Sequence, residues 1–532
     1  MDKTLYFIVS LLMLLVWTVL VFLPIKNSIH MYQQNRYELR RYLPWLKGEF
    51  FFQLKNNRFW SLPYGIALIL GVLSYFYPLI GSFISIGLGF TYGLFLFYVD
   101  RSTQRIKPLK LTHRVLRQIF VFFLIMSLEF MLISQSPMYV RIIFTPLMMS
   151  LSWITMVLVA LITMPFEAFI RNLYIHEAKR ILKQHPHLLK IGVTGSYGKT
   201  STKNILAEVL GENYYVLSTP ASFNTPMGLT ITIREHLKSL HQVFIAEMGA
   251  DKVGEISSLS RFIQPEIGVV TAVGPQHLNT FKNIENILHE KTRLIETLPH
   301  TGCGIYNVDN EYLRNYKFKN PCKKLSYGID HPADLNAIDI EYSPSGSSFT
   351  LVYQNTKTRF QTRLLGKHNI SNILSALAVG IHLGIPMEKL QTAVRKVNFI
   401  EHRLQLKTLH GLRFIDNAYN SNPEGAMMSL DVLKTMPGKR YIITPGMIDL
   451  GNQQSFYNHA FGAYMKDRAD VVILVGKHQT KDIFDGLKYS GFDMDQVFVF
   501  DHVHQAFDYV QRNASIHDMI LLENDLPDAF SR

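Results

Sequence analysis

Five apolar runs crowd into residues 4–164, and each is about as long as the hydrocarbon core of a bilayer requires. A chain lying in that core must pair its own backbone amides, so such runs predict helices. Thr4–Pro24 carries no charge and is followed by no small-residue cleavage site, so it reads as an anchor and not as a removed signal peptide. Trp60–Pro78 and Ile80–Val99 form a hairpin broken at 78–81, and Gln118–Gln135 with Ile142–Met164 a second, tighter pair. An α-helical membrane domain of about five transmembrane helices is therefore expected over residues 1–165.

Charge is segregated in the same way. Residues 1–190 hold 20 Lys/Arg against 7 Asp/Glu and the remainder 34 against 34, so the formal net charge of +13 sits in the first third. The basic residues concentrate in two loops, 25–58 and 100–117, while the connections near 78–81 and 136–141 are almost uncharged. Basic loops stay on the cytoplasmic side, which puts the N-terminus outside and everything after residue 165 in the cytoplasm. The expectation is a multi-pass protein of the inner (cytoplasmic) membrane. The neutral remainder offers no basic face, which excludes nucleic acid as a partner. Glu129 is the only charge within the five runs. It is either a functional carboxylate, or one near the outer interface or paired with Arg141. Phe166–Lys183 alternates apolar and charged residues at helical spacing, predicting a connecting amphipathic helix over 166–187. The two cysteines, Cys303 and Cys322, lack zinc-ligand spacing and read as reduced thiols.

From residue 188 the pattern changes. The strand-like run Leu188–Val193 enters a glycine-rich turn, TGSYGKTS, and then an amphipathic helix. Such a turn aims backbone N–H groups at an anion held on a helix N-terminus. Lys199 adds a charge for the outer phosphates of ATP, and Thr200 a hydroxyl for Mg2+. Val193 stands where the strict phosphate-loop pattern has its first glycine, so the motif alone leaves a chance match open. Further on, apolar strands alternate with helices through RFIDNA, RYIITPG, DVVILVG and QVFVF, with helices near 423–435 and 455–468. That alternation predicts a Rossmann-like, doubly wound parallel sheet.

Several segments in order resemble those of the Mur ligase family: TGSYGKTS, AEMGA (246–250), VGPQHLNTF (273–281), HEKTRLIETLP (289–299), LLGKHNISNILSALAVG (364–380), and HRLQ (402–405) with FIDNAYNSNPEGAMMSLDVL (414–433). The last is most similar to the MurF type, the UDP-N-acetylmuramoyl-tripeptide–D-alanyl-D-alanine ligases. The resemblance implies a central P-loop ATPase domain over 188–398 and a C-terminal domain over 399–532. It implies ATP-dependent amide-bond formation through an acyl phosphate, in synthesis of cell-wall peptidoglycan precursors. ATP would be held by Gly195, Ser196, Gly198, Lys199, Thr200 and Ser201, with His368 and Asn369 at the adenine and Arg403 and Asp416 reaching in from the C-terminal domain. Thr200 and Glu247 would hold one Mg2+ and His277 a second. Lys291, as a carbamate, would position that second ion, so Lys199, His277 and Lys291 are the expected catalytic residues. Asn224 and Asn420 would contact substrate. The partners implied are a UDP-linked or lipid-linked muramoyl-peptide acceptor and an amino acid or dipeptide.

From the residues alone each assignment has a plainer alternative. Glu247 could be a surface carboxylate at a helix end, His277 a turn histidine, Lys291 part of a solvated helix face and Asn369 a helix cap. The chain also departs from the family. Ala221-Ser222 replaces Gly-Asn before Asn224, Gly446 stands where Asp is usual, and apolar runs occupy the place of the UDP-gripping domain. A ligase for a lipid-linked wall precursor or a capsular polyglutamate-type polymer is the alternative enzyme. A membrane protein regulated by an ATP-binding domain is the alternative outside enzymes. Oligomeric state leaves no trace in the sequence.

Overall fold

The structure, a computed structural model, describes residues 25–56, 69–77, 109–134 and 152–524, apart from 277, 344, 400–401, 419–422, 449 and 451–452, together with isolated positions between 80 and 140. The chain divides into two compact units, residues 1–173 and 174–532.

In the first unit, helix α1 (Leu39–Asn56), helix α2 (His113–Ser134) and the start of α3 (Ser152–Lys183) contribute to a core that includes Tyr42, Val115, Phe122, Met156 and Val159. Large apolar side chains on the same helices, among them Phe120, Leu124, Leu128, Leu132 and Ile162, are exposed. Arg117 clamps Glu167 with two bonds of 2.7 and 3.0 Å, and the Arg114 guanidinium lies 4.1 Å over the Tyr37 ring. Of the expected spans, Gln118–Ser134 lies within α2, and 152–164 within α3. Thr4–Pro24 and most of Trp60–Pro78 and Ile80–Val99 lie outside the described residues, as does Arg141. Among the described residues one helix, Ile154–Lys183, is long and apolar enough to cross a membrane. The expected connecting helix over 166–187 is not a separate element. Pro165 sits inside α3, which runs on without a break to Lys183.

The second unit holds two sheets. The first orders its strands β2-β3-β1-β4-β5-β6-β7-β8-β9, where β1 is Leu189–Thr194, β2 Val216–Ser218, β3 Val243–Glu247, β4 Ile267–Val270, β5 Cys303–Asn307, β6 Lys323–Gly328, β7 Leu335–Ser343, β8 Gly346–Tyr353 and β9 Thr356–Thr362. Every residue of β3 and β4 is buried, as expected of parallel strands covered on both faces. The strands from β2 to β7 pair in parallel. From β7 the sheet turns antiparallel and burial alternates along β7, with Phe349 and Phe360 directly opposed and stacked at 5.5 Å. The sequence reading did not foresee this three-stranded meander.

Helix α4 (Lys199–Gly211) follows β1 and packs against α8 (Lys367–His382). Helices α5 (Pro226–His236), α6 (Glu255–Ile263) and α7 (Ile284–Glu296) precede α8, and α9 (Met387–Lys396) follows it. β1 lies between β3 and β4, so the strand order reverses there and the loops leaving β1, β3 and β4 meet at one edge. Ligands of open α/β sheets bind at such a switch point.

The second sheet has the order β10-β11-β15-β12-β13-β14, with β10 Gln405–Leu409, β11 Leu412–Asn417, β12 Arg440–Thr444, β13 Val471–Val475, β14 Val497–Phe500 and β15 Met519–Glu523. It is parallel except at β10, which pairs antiparallel with β11 and so departs from the all-parallel expectation. Helices α10 (Pro423–Lys434) and α11 (Gln454–Tyr464) fall where the pattern placed them, although α11 ends four residues early.

Candidate active site

The glycine-rich turn at the end of β1 is shaped by contacts that exclude side chains. Gly195 has φ 155°, and a Cβ on it would stand 2.1 Å from Thr271 Oγ1. Gly198, with φ 78°, is the N-cap of α4, and no side chain caps the first turn, which leaves its N–H groups for an anion. The turn is tied to the segment after β4. Ser196 N–H donates to Ala272 O at 2.7 Å, Ser196 Oγ to Gly274 O at 3.0 Å, and Thr271 Oγ1 to Tyr197 O at 2.5 Å. Tyr197 OH reaches Pro275 O at 3.1 Å. Lys199 Nζ curls over the turn, donating to Gly195 O at 2.7 Å and Ser196 O at 3.0 Å. Burial pulls this lysine down to about 8 against the opposing pull of Glu247, and Arg403 lowers it further. Ser201, in the first turn of α4, is buried.

Glu247 ends β3 with 1% of its surface exposed. The surface-carboxylate alternative therefore fails. Its Oε1 accepts from Thr200 Oγ1 at 3.2 Å and from Asn224 Nδ2 at 3.1 Å. Its Oε2 has no hydrogen-bond partner and lies 3.4 Å from Lys203 Nζ. A hydroxyl and a carboxylate side by side are hard oxygen donors that fit Mg2+, an ion that keeps several waters and phosphate oxygens of its own. Among the described residues no group of three His, Cys, Asp or Glu is arranged as a metal site. His277, the expected holder of a second ion, lies outside the described residues.

Lys291 on α7 is also 1% exposed, which overturns the solvated-face alternative. Its Nζ donates to Ala250 O at 3.3 Å, and burial, reinforced by Lys199, pulls it down to about 7. The adjacent Glu290 points elsewhere, accepting from Gly254 N–H at 2.7 Å and Ile256 N–H at 2.5 Å, and so caps α6.

At the start of α8, Asn369 Nδ2 donates to Leu365 O at 2.8 Å, back across its own turn. Asn369 Oδ1 and His368 Nδ1 are both buried without a hydrogen-bond partner. Buried polar atoms are normally satisfied, so this pair marks a place for a ligand's polar edge. Burial and Arg403 hold His368 down at about 4, leaving its ring neutral at pH 7. Asp416 is engaged within the protein, with His402 Nδ1 at 2.8 Å and Lys407 Nζ at 2.5 Å from its Oδ2, and Ala418 N–H at 3.1 Å from its Oδ1. Burial pushes its carboxyl up, but these bonds outweigh it and hold the group below the usual range. Asn420 lies outside the described residues.

The sequence reading missed Lys203, Thr271, Asn372 and Lys407. Thr202 Oγ1 donates to Asn372 Oδ1 at 3.0 Å and so joins α4 to α8. Only Lys203 left a signal. It falls on the helical face that continues through Leu206 and Leu210, both buried, where a lysine is out of place.

The chain matches the Mur ligase middle domain over residues 193–380 and the Mur ligase glutamate ligase domain over 402–523. It is 31% identical to the UDP-N-acetylmuramoyl-tripeptide–D-alanyl-D-alanine ligase of Bacillus subtilis across 63% of this chain and 72% of that one. It is 32% identical to the Mycobacterium leprae protein of the same description, across 54% of this chain and 60% of that one. The fold is similar to that of a MurF ligase from Thermotoga maritima solved in complex with ADP, with a TM-score of 0.60 at 22% identity over 67% of this chain and 80% of that one. A MurF structure from Acinetobacter baumannii gives the same TM-score over 66% of this chain and 77% of that one.

Proposed function

Because the chain belongs to the Mur ligase family, and is thereby an ATP-dependent acid–amino acid ligase, we propose that it is MurF-like. It joins a D-alanyl-D-alanine-type dipeptide to the carboxylate of a muramoyl peptide in peptidoglycan precursor synthesis. The ligase activity named for the Bacillus subtilis and Mycobacterium leprae relatives and the ADP of the Thermotoga maritima structure support this reading. The observation that carries it is the phosphate turn itself, with Lys199 folded across it and Glu247 beside Thr200.

In this reading an acceptor carboxylate oxygen attacks the γ-phosphorus of ATP, and ADP leaves. The amine then attacks the acyl-phosphate carbon, inorganic phosphate leaves, and the nitrogen gives up a proton. Charge spreads over the transferring phosphoryl oxygens, so fixed donors aimed there do most of the work. The N–H groups of α4 and Lys199 supply them. Magnesium, held by Thr200 and Glu247, would neutralise phosphate charge. The unpartnered edge formed by His368 and Asn369 suits adenine. Burial of Lys291 favours its neutral amine, the form that adds carbon dioxide to become the carbamate implied by the resemblance.

We place the catalytic unit in the cytoplasm and the first unit in the membrane. The exposed apolar side chains of α2 and the length of Ile154–Lys183 support this, together with the basic loops. A membrane unit where relatives have a UDP-gripping domain favours a lipid-linked acceptor as a second reading. The test is amine-dependent phosphate release by the full chain with UDP-linked and lipid-linked muramoyl peptides in parallel. Release with neither acceptor ends the muramoyl-ligase reading, and release with the lipid-linked one alone selects the second.

A further inference from the structure

One buried cation beside the phosphate turn has no part in the chemistry above. Lys203 lies one helical turn after Lys199 and is 1% exposed. Its Nζ donates to Thr219 O at 2.7 Å and to Ala221 O at 2.5 Å, and stands 3.4 Å from Glu247 Oε2. A single ammonium thus joins α4, the loop 219–224 and the end of β3. The loop is tied to β3 by further bonds. Glu247 N–H donates to Thr219 Oγ1 at 3.2 Å, Asn224 Nδ2 to Glu247 Oε1 at 3.1 Å, and Gly249 N–H to Asn224 O at 2.9 Å. A Cβ at 249 would come within 2.7 Å of Asn224 Cγ, so any side chain there would have to displace the Asn224 amide. Ala221 takes a left-handed φ of 43°, and residues 221–223 at the loop tip stay exposed.

We propose that Lys203 is a positioning residue that places the metal carboxylate and the 219–224 loop together. With Oε2 turned to the ammonium, Glu247 keeps Oε1 turned to Thr200 and offers one oxygen to the ion. The same ammonium fixes the loop that carries Asn224 to Glu247, the carboxylate beside Thr200, and the ligase reading brings the acceptor carboxylate to this metal site. Groups that orient a metal ligand in this way typically account for about 10–100-fold in metal affinity. A lysine present only to fill space would not affect metal binding when replaced by an apolar side chain of similar length.

The inference rests on the ligase reading, with Glu247 as the magnesium ligand, and is tested without relying on turnover alone. Mn2+ binding to the full chain with ADP is titrated by electron paramagnetic resonance, and ADP binding without metal is measured in chelator. Lys203→Met should weaken Mn2+ by about tenfold or more, leave metal-free ADP binding unchanged, and raise the acceptor KM. Lys203→Arg should recover part of the metal affinity. Unchanged Mn2+ affinity overturns the proposal, as does a loss of metal-free ADP binding equal to the loss of metal. If Lys203→Met does not fold, Lys203→Gln is read by the same criteria. Wild-type protein that binds Mn2+ and ADP but forms no amide with any acceptor counts against the ligase reading and not against the clamp.

Discussion

Lys199 and Lys291 are both depressed by burial, yet they are suited to opposite tasks. Lys199 must be charged to stabilise a phosphoryl group, and near pH 8 the free protein holds it only half protonated. An arriving phosphate favours the ammonium, so ATP binding should take up protons at pH 8–8.5. Calorimetric titration in two buffers of different ionisation enthalpy should show that uptake, and Lys199→Ala should abolish it. The same substitution should lower turnover about 100-fold or more without unfolding the protein, because it removes charge stabilisation from the transition state. Lys291, pulled down to about 7, is increasingly neutral as pH rises above that value. Between pH 7 and about 10.5 the unfolded chain keeps this proton and the folded one releases it, so stability rises with pH across that window. Below pH 7 both states are protonated and the folded state bears the full cost of a buried charge. Lys291→Met should therefore raise the melting temperature most at or below pH 7, with the gain fading towards pH 10.5, while ligation is lost. A gain independent of pH would show that burial of charge is not its cause. From the residues alone, Lys291 among Glu290, Arg293 and Glu296 reads as a solvated helix face, and Lys203 stands out only by its place on the apolar face of α4. Only the packing around α4 and α7 shows that both are buried.

Elements were legible where periodicity and turn chemistry agreed. The strand before TGSYGKTS, the helix after it and the strands at 412–417, 440–444, 471–475 and 497–500 all lie within a few residues of their expected places. The meander β7–β9 was not legible, because polar and exposed positions dominate β9 and the outer half of β7 and leave the apolar alternation thin. The antiparallel edge strand β10 escaped notice because none of its residues is buried and its last two are exposed. Cooperation between elements was equally hidden. Glu290 lies on α7, yet its carboxylate satisfies two backbone N–H groups at the start of α6. Glu290→Ala should destabilise the protein by about 2 kcal/mol, since it strips the acceptor from the buried Ile256 N–H and the half-buried bond of Gly254. Denaturant unfolding monitored through the catalytic unit measures it, and a change below about 0.5 kcal/mol, the range of surface substitutions, would show the cap to be idle.

At the scale of the whole chain, the sequence divides into a basic, apolar third and a neutral remainder, and the contact-defined boundary falls at 173/174. Two independent requirements bear on how such a chain sits in a membrane. ATP must reach the turn at 195–200 from the cytosol, and basic loops resist translocation across the bilayer. In the membrane arrangement proposed above, the first requirement puts the catalytic unit in the cytosol, and the second puts the segments 25–58 and 100–117 on that same side. Single cysteines introduced at these loops in a background lacking Cys303 and Cys322 should resist a membrane-impermeant thiol reagent applied to intact cells. They should react once the membrane is opened, and a cysteine near Asp2 should react at once. External labelling of the 100–117 loop would overturn the topology, even with the catalytic unit intact. The same arrangement bears on substrate. On the second reading, a lipid-linked acceptor bound by the first unit is tethered to the catalytic unit through the chain, which raises its effective concentration. A shortened protein beginning near residue 172 should then keep ATP binding but lose more activity on lipid-linked than on UDP-linked muramoyl peptide. Equal losses on the two acceptors would show that the first unit is an anchor and no more.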